Sequence, residues 1–252
     1  MTSYEQLLEI LHYGNEALAV EVFHILTNNR YKANLELLVP FKEYNSSGEF
    51  TDYSGNGHDG VPKSGASLTG IGNARAVFTN GVVGVDTQYI SFSNMDFGTN
   101  DFSFAFNFNF HGAEFASSNA DVISLHVAAP TQQIRLVVRS STNVARFTVN
   151  GGALNDSTES LDKKPRFITA NADRDGFSRL YFDEVLQTSS DISASSATDM
   201  NMGGMSVMRR DVASFNYVSG NINWLFCWNG RLLTQNEMRE LKELLTPRSF
   251  GI

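Results

Sequence analysis

Cysteine is almost missing. Cys227 is the single one in 252 residues, so the chain can form neither an internal disulfide nor a thiolate zinc cluster. Positive charge is also short: 19 Lys and Arg stand against 27 Asp and Glu, for a net charge of −8. Such a balance lacks the clustered cations by which a sequence-independent nucleic-acid binder displaces counterions. It equally disfavours adhesion to an anionic membrane. No apolar run is long enough to span a bilayer. The first residues, MTSYEQLLEILHYGNEAL, show no basic segment followed by a long apolar one, so no signal peptide is read. The expectation is a soluble protein folded in a cytoplasm, in which the sequons at Asn45 and Asn155 mean little. Catalytic signatures are missing too. The five histidines are scattered with no H-E-x-x-H pattern, and there is no G-x-S-x-G elbow.

What the chain does contain is a helical preface followed by many short strands. Ser3 and Gln6 form a capping box, and Leu7, Leu8 and Leu11 make a stripe at helical spacing. Gly14 suits a C-cap and Asn15 the next N-cap, after which Leu18, Val22, Phe23 and Leu26 share a side. Two short helices cannot bury their own stripes. Leu7, Leu11, Leu18, Val22, Phe23 and Leu26 are therefore expected to dock, on this chain or on a partner.

From Leu35 the period changes to two. LELLVPF, AVFTNGVV, YISFSN, FSFAFNFNF, VISLHVA, IRLVVRS, ARFTVN, RFITANA, RLYFDEVL and INWLFCW are β-branched or aromatic and separated by turn residues. That pattern predicts an all-β sandwich or barrel. Phe102, Phe104, Phe106, Phe108 and Phe110 fall on one strand face and must be core. Ser103, Ala105, Asn107 and Asn109 fall on the other, which alternation predicts to be solvated. Near the C-terminus, Thr234 and Glu237 form another capping box, Met238, Leu241 and Leu245 follow at helical spacing, and Pro247 is expected to stop the helix.

The stretch FTDYSGNGHDG matches two ligand signatures and fails both. Gly55, Gly57 and Gly60 spell G-x-G-x-x-G, but a dinucleotide site needs a helix starting inside that run. VPKSGASLTG follows instead, with Pro62, Gly65 and Gly70. Asp52, Ser54, Asn56 and Gly57 begin like an EF-hand loop, but the twelfth position is Lys63 rather than a bidentate Glu.

The order of phrases resembles the laminin-G-like, concanavalin A-like lectin–glucanase jelly-roll family. VPFKEY precedes FTDYSGNGHDG; RAVFTNGVVGVDTQYISF and NDFSFAFNF follow; SRLYFDEVL and NWLFCWNGRLLTQNEMRELKEL close the series. The resemblance covers roughly Leu37 to Leu245. Phe115 to Ser160 fits only loosely, and Asp183-Glu184 stands where Asp-Gly would favour a tight turn. It implies a mainly β, two-sheet antiparallel jelly-roll sandwich over residues 35–252; the helical appendage over 1–34 lies outside the resemblance, and the residue pattern adds a short C-terminal helix.

The resemblance also implies a calcium ion near the opening loop, held by Asp52 and Asn56; the same two residues alternatively serve only as turn-formers. Asp173-Arg174-Asp175-Gly176 is a second acidic turn and reads first as a plain hairpin. The paired carboxylates E-x-D-x-x-E of glucanases on this fold are missing, so no catalytic residue is assigned. For glycan binding the surface candidates are Asn107, Asn109 and Tyr217, whereas Trp224, Phe226 and Trp228 read as inward-packed core. A glycan-binding module with no export signal fits a virion surface protein such as a fibre, spike or decoration protein. Its sandwich would face outward, and its helices would meet virion proteins or sister chains. A free bacterial adhesion module is the alternative, and a divergent polysaccharide hydrolase or lyase the third.

Overall fold

The computed structural model describes residues 22–25, 27–63, 66–69, 76–79, 88–115, 119–126, 133–139, 142–152, 155–161, 164–208 and 216–249. The architecture is mainly β, and every strand pair is antiparallel. Residues 22–25 and the short α1 (Asn29–Lys32) are helical. The strands are β1 (Leu35–Val39), β2 (Val61–Lys63), β3 (Ser67–Thr69), β4 (Ala76–Thr79), β5 (Tyr89–Phe92), β6 (Met95–Asp96), β7 (Phe102–Phe115) and β8 (Asn119–His126). They continue with β9 (Gln133–Arg139), β10 (Ala145–Val149), β11 (Pro165–Ala172), β12 (Phe177–Phe182), β13 (Val185–Asp191), β14 (Asn201–Met202), β15 (Met205–Val207) and β16 (Asn216–Asn229). Helix α2 (Gln235–Ser249) closes the described chain.

An eight-stranded sheet runs β13-β12-β11-β7-β16-β4-β3, with β1 also paired to β16. A six-stranded sheet runs β10-β9-β8-β15-β5-β2, and β14 pairs with β6 apart from both. The phenylalanines of β7 fill the space between the sheets, as their alternation predicts. Phe102, Phe104, Phe106, Phe108 and Phe110 pack there with Phe92, Val122, Ile134, Phe147 and Cys227. The shorter strands β2, β3, β6, β14 and β15 carry too few residues for alternation to announce them.

The other face of β7 departs from expectation. Ser103, Ala105 and Asn107 are buried, not solvated. The cause is a second core on the outer side of the eight-stranded sheet. Trp224, Phe226 and Trp228 stand on that side rather than inward. They are covered by Val22, Ile25, Tyr31, Leu233, Met238, Leu241 and Leu245. The three rings stack, Trp224 on Phe226 at 5.7 Å and Phe226 on Trp228 at 5.5 Å between centroids. Covering them contributes about 4–6 kcal/mol each as an upper bound. Trp228 Nε1 donates to the carbonyl of Tyr31 at 2.8 Å, so the indole has a partner inside that apolar layer. Val22 and Ile25 thus pack in cis, while Phe23 stays 43% exposed. Leu7, Leu11, Leu18 and Leu26 lie outside the described residues.

Local details refine three further expectations. The Thr234–Glu237 capping box forms: the Thr234 amide and hydroxyl both donate to Glu237 Oε2 at 2.8 Å. Helix α2 nevertheless continues past Pro247 to Ser249. The ring fixes φ in the helical range, and the lost N–H bond falls near the helix end. The β12–β13 turn also forms tightly without glycine, with φ of 49° at Asp183 and 73° at Glu184. Neighbours hold it there. Arg166 donates to Asp183 Oδ2 at 2.9 Å, and Lys242 of α2 reaches Glu184 Oε1 at 3.2 Å. Where β7 and β16 cross a bulge, Gly220 is needed, because a Cβ there would meet Asn109 O at 2.5 Å.

Two stability measurements follow. Ile25→Ala should lower the urea-unfolding free energy by about 2–5 kcal/mol, as for a core aliphatic; a loose helical appendage would show almost no change. Glu184→Gly should raise it by about 0.5–1 kcal/mol, since relief of the left-handed conformation outweighs one half-buried ion pair.

Candidate functional site

The opening loop is built around one carboxylate. Asp52 is buried, and its Oδ1 accepts from the amides of Leu38 at 3.0 Å and Ser54 at 2.9 Å. Its Oδ2 accepts from Ser54 Oγ at 2.8 Å and the His58 amide at 3.0 Å. Asn56 Nδ2 donates to the carbonyls of Leu35 and Glu36, both at 3.0 Å. The register of β1 against β16 shifts between Leu35 and Leu37, so Glu36 is the bulged residue these bonds hold. Both residues therefore do the turn-forming work that their types suggest. Among the described residues no group of three His, Cys, Asp or Glu is placed to hold a metal ion.

His58 adds a titrating clasp. Its Nε2 lies 3.0 Å from Glu36 Oε1 and its Nδ1 2.8 Å from Ser93 Oγ. The hydrogen bond to Glu36 raises its pKa above the ordinary 6.5. Burial opposes this, and the charges of Asp52 and Glu36 reinforce it.

The surface candidates are dispersed by the fold. Asn107 is 1% exposed and Asn109 half-buried. Asn109 faces Asn221 across the β7–β16 pair. The Oδ1 atoms of Asn109 and Asn221, and Nε1 of Trp224, are enclosed without a hydrogen-bond partner among the described residues. That makes a polar seam suited to ordered water. The Tyr217 backbone lies opposite Glu114, and its side chain lies outside the described set.

A different site emerges at one end of the eight-stranded sheet. Register places Ala172 beside Phe102, and Phe102 beside Asn229. The segments just beyond these residues must therefore converge. With Ser196 they line an open cleft of about 360 Å³, its walls formed by Thr99, Asn100, Asp101, Arg174, Asp175, Ser196 and Gly230. Asp101 ties the segments together: its Oδ1 accepts from the Arg174 amide at 2.7 Å, and its carbonyl accepts from the Gly230 amide at 2.6 Å. Gly230 has φ of 76°, and a Cβ there would meet Asn34 Nδ2 at 2.8 Å.

Charge in this pocket is finely set. Arg174 is 2% exposed, and its Nη2 donates to the carbonyls of Ser195 at 2.5 Å and Thr198 at 2.7 Å. Burial pulls the guanidinium's pKa down, and Asp101 opposes that pull. Next to it, the Asp173 carboxyl is pushed above its ordinary range. Burial is the first cause, then a hydrogen bond with Asp175 and the charges of Asp101 and Asp175, with Arg179 opposing. Of these residues, sequence had singled out only the Asp173–Gly176 turn. Thr99, Asn100, Asp101, Ser196 and Gly230 carry no signal beyond turn propensity.

Pairing and layering together define an antiparallel two-sheet β-sandwich. Its structural neighbours include botulinum neurotoxin type C, described as depending on interaction with two ganglioside molecules to get into cells. It is 14% identical with a TM-score of 0.67, covering 87% of this chain and 53% of that one. The binding domain of botulinum neurotoxin DC, in complex with rat synaptotagmin II, matches at 16% identity and TM-score 0.63, over 84% and 52%. A Trypanosoma rangeli sialidase in complex with sialic acid matches at 15% identity and TM-score 0.62, over 84% and 33%. The chain thus spans about half the length of the neurotoxin chains and a third of the sialidase. No protein-family profile matches it, and neither does any curated protein sequence. At these identities the likeness shows the fold.

The His58 clasp has a defined pH signature. A histidine whose folded pKa is raised contributes stability that is complete below about pH 6.5 and fades as pH climbs through the folded pKa. Glu36→Gln should therefore cost most stability near pH 6, and the gap to the parent protein should shrink by about pH 9. Thermal melts across that range check it; a gap independent of pH would remove the clasp.

Proposed function

We propose that the chain is a non-enzymatic carbohydrate-binding sandwich carried on a virion surface, with the sheet-end pocket as its glycan site. The observation that carries this reading is the pocket itself. Hydroxyl, amide, carboxylate and peptide groups from four separate segments converge on a cavity of about 360 Å³. That volume lies within the range of small-ligand sites, and the lining is what reading sugar hydroxyls requires. The ganglioside and sialic acid of the neighbours support the class of ligand.

Binding rather than hydrolysis is favoured by the sequence, which lacks the E-x-D-x-x-E carboxylate pair of the glucanases on this fold. The virion setting is supported by Cys227, enclosed in the core, so that folding needs no oxidising compartment. Attachment to virion proteins or sister chains is assigned to the helical segment's outward residues, Phe23 first. With four protein donors on Asp52, glycan binding is proposed to persist in EDTA.

A glycan array followed by calorimetry tests the proposal. The intact chain should bind at least one glycan class, and Asp175→Ala should weaken that binding by about tenfold or more. Unchanged affinity would move the site elsewhere, release of shorter saccharides would restore the hydrolase reading, and silence across the array would end the carbohydrate reading.

A further inference from the structure

Resting on the pocket as a glycan site, we propose that it selects neutral saccharides and rejects those bearing a carboxylate, sialic acid included. Two carboxylates, Asp101 and Asp175, line the cavity, and Oδ1 of Asp101 accepts from the Arg174 amide. Asp173 ion-pairs with Arg179 at 3.5 Å. Acidic groups alone would not mark a ligand. The second observation is Arg174, which forms part of the same lining. It is enclosed, it spends one nitrogen on the carbonyls of Ser195 and Thr198, and its Nε and Nη1 have no partner among the described residues.

The lining thus carries acceptors that demand a donor and, enclosed among them, a cation that demands an acceptor. A ligand carboxylate suits Arg174 but must come up against Asp101 and Asp175. A ligand ammonium suits the aspartates but meets the guanidinium. A hydroxyl does both, donating to a carboxylate and accepting from a guanidinium, and carries no charge to be repelled. Neighbouring hydroxyls on a neutral sugar ring match this alternation. The chain's net charge of −8 adds repulsion of anionic ligands at longer range.

The test compares each neutral glycan on an array with its sialylated form, followed by calorimetry on lactose, 3′-sialyllactose and a chitosan trimer, or on the best neutral hit and its sialylated and amino counterparts. Neutral forms should bind about tenfold or more tightly than sialylated ones at low salt, and the ratio should narrow in about 1 M salt as screening shortens to about 3 Å. Asp101→Asn/Asp175→Asn, which keeps shape and one acceptor oxygen on each residue, should bring the sialylated form within a few-fold of the neutral one. The parent protein's ratio and salt response stand without that variant, should it fail to fold. Sialylated glycans binding as well as neutral ones would overturn the selectivity while leaving a carbohydrate site. A ratio unmoved in a folded double variant would overturn the assignment to these aspartates. No binding to any glycan would remove both this inference and the reading beneath it.

Discussion

Burial of the β7–β16 pair on both faces is the constraint on which the rest of the structure depends. These two 14-residue strands form the backbone of the eight-stranded sheet, and from Phe102 to Phe108 and from Ile222 to Trp228 neither face meets water. One face carries the phenylalanine row into the space between the sheets, and the other carries Trp224, Phe226 and Trp228 outward. An antiparallel sheet with one wet face could omit an outer layer. This one cannot, because three stacked aromatics would be left in solvent. Helix α2 and residues 22–32 are therefore integral to the sandwich, and the Trp228–Tyr31 hydrogen bond joins the layer at its most apolar point.

The same pair also positions the pocket. A shared register brings the ends of β7, β11 and β16 to one line, and turns leaving that line have nowhere to go but toward one another. Asp101 then works as a peptide-binding residue, fastening two of those turns through one carboxylate oxygen and one carbonyl. The result is a polar cavity on a rigid sheet end, with its charges held by backbone rather than by flexible side chains.

Much of the fold was legible in the residue pattern. The phenylalanine alternation marked the core face, each of the ten expected segments supplies a strand among the described residues, and the D-x-S-G-N-G loop forms the turn its residues favour. The outer core was not legible, because Ser103, Ala105, Asn107 and Asn109 between phenylalanines have the pattern of a half-solvated strand. What covers them arrives more than a hundred residues later, in α2. Periodicity within a strand reports the contrast between its faces, and a face of small polar residues looks alike whether water or a helix lies over it. The pocket escaped for a related reason. Thr99, Asn100, Asp101, Asp175, Ser196 and Gly230 are ordinary turn residues, and only strand register makes them neighbours. Asp52 and Asn56 show the opposite case, since a local motif read locally describes a local job.

Cys227 lies on β16 between Phe226 and Trp228, turned into the inter-sheet core and wholly enclosed. Burial raises its thiol pKa well above the ordinary value, with the charges of Glu36 and Asp52 acting in the same direction. A thiol reagent therefore finds no thiolate to attack until β16 parts from its neighbours. The single sulfur is thus a native reporter of global opening. Its modification rate clocks separation of the central strands, while fraying of loops and helix ends leaves it silent.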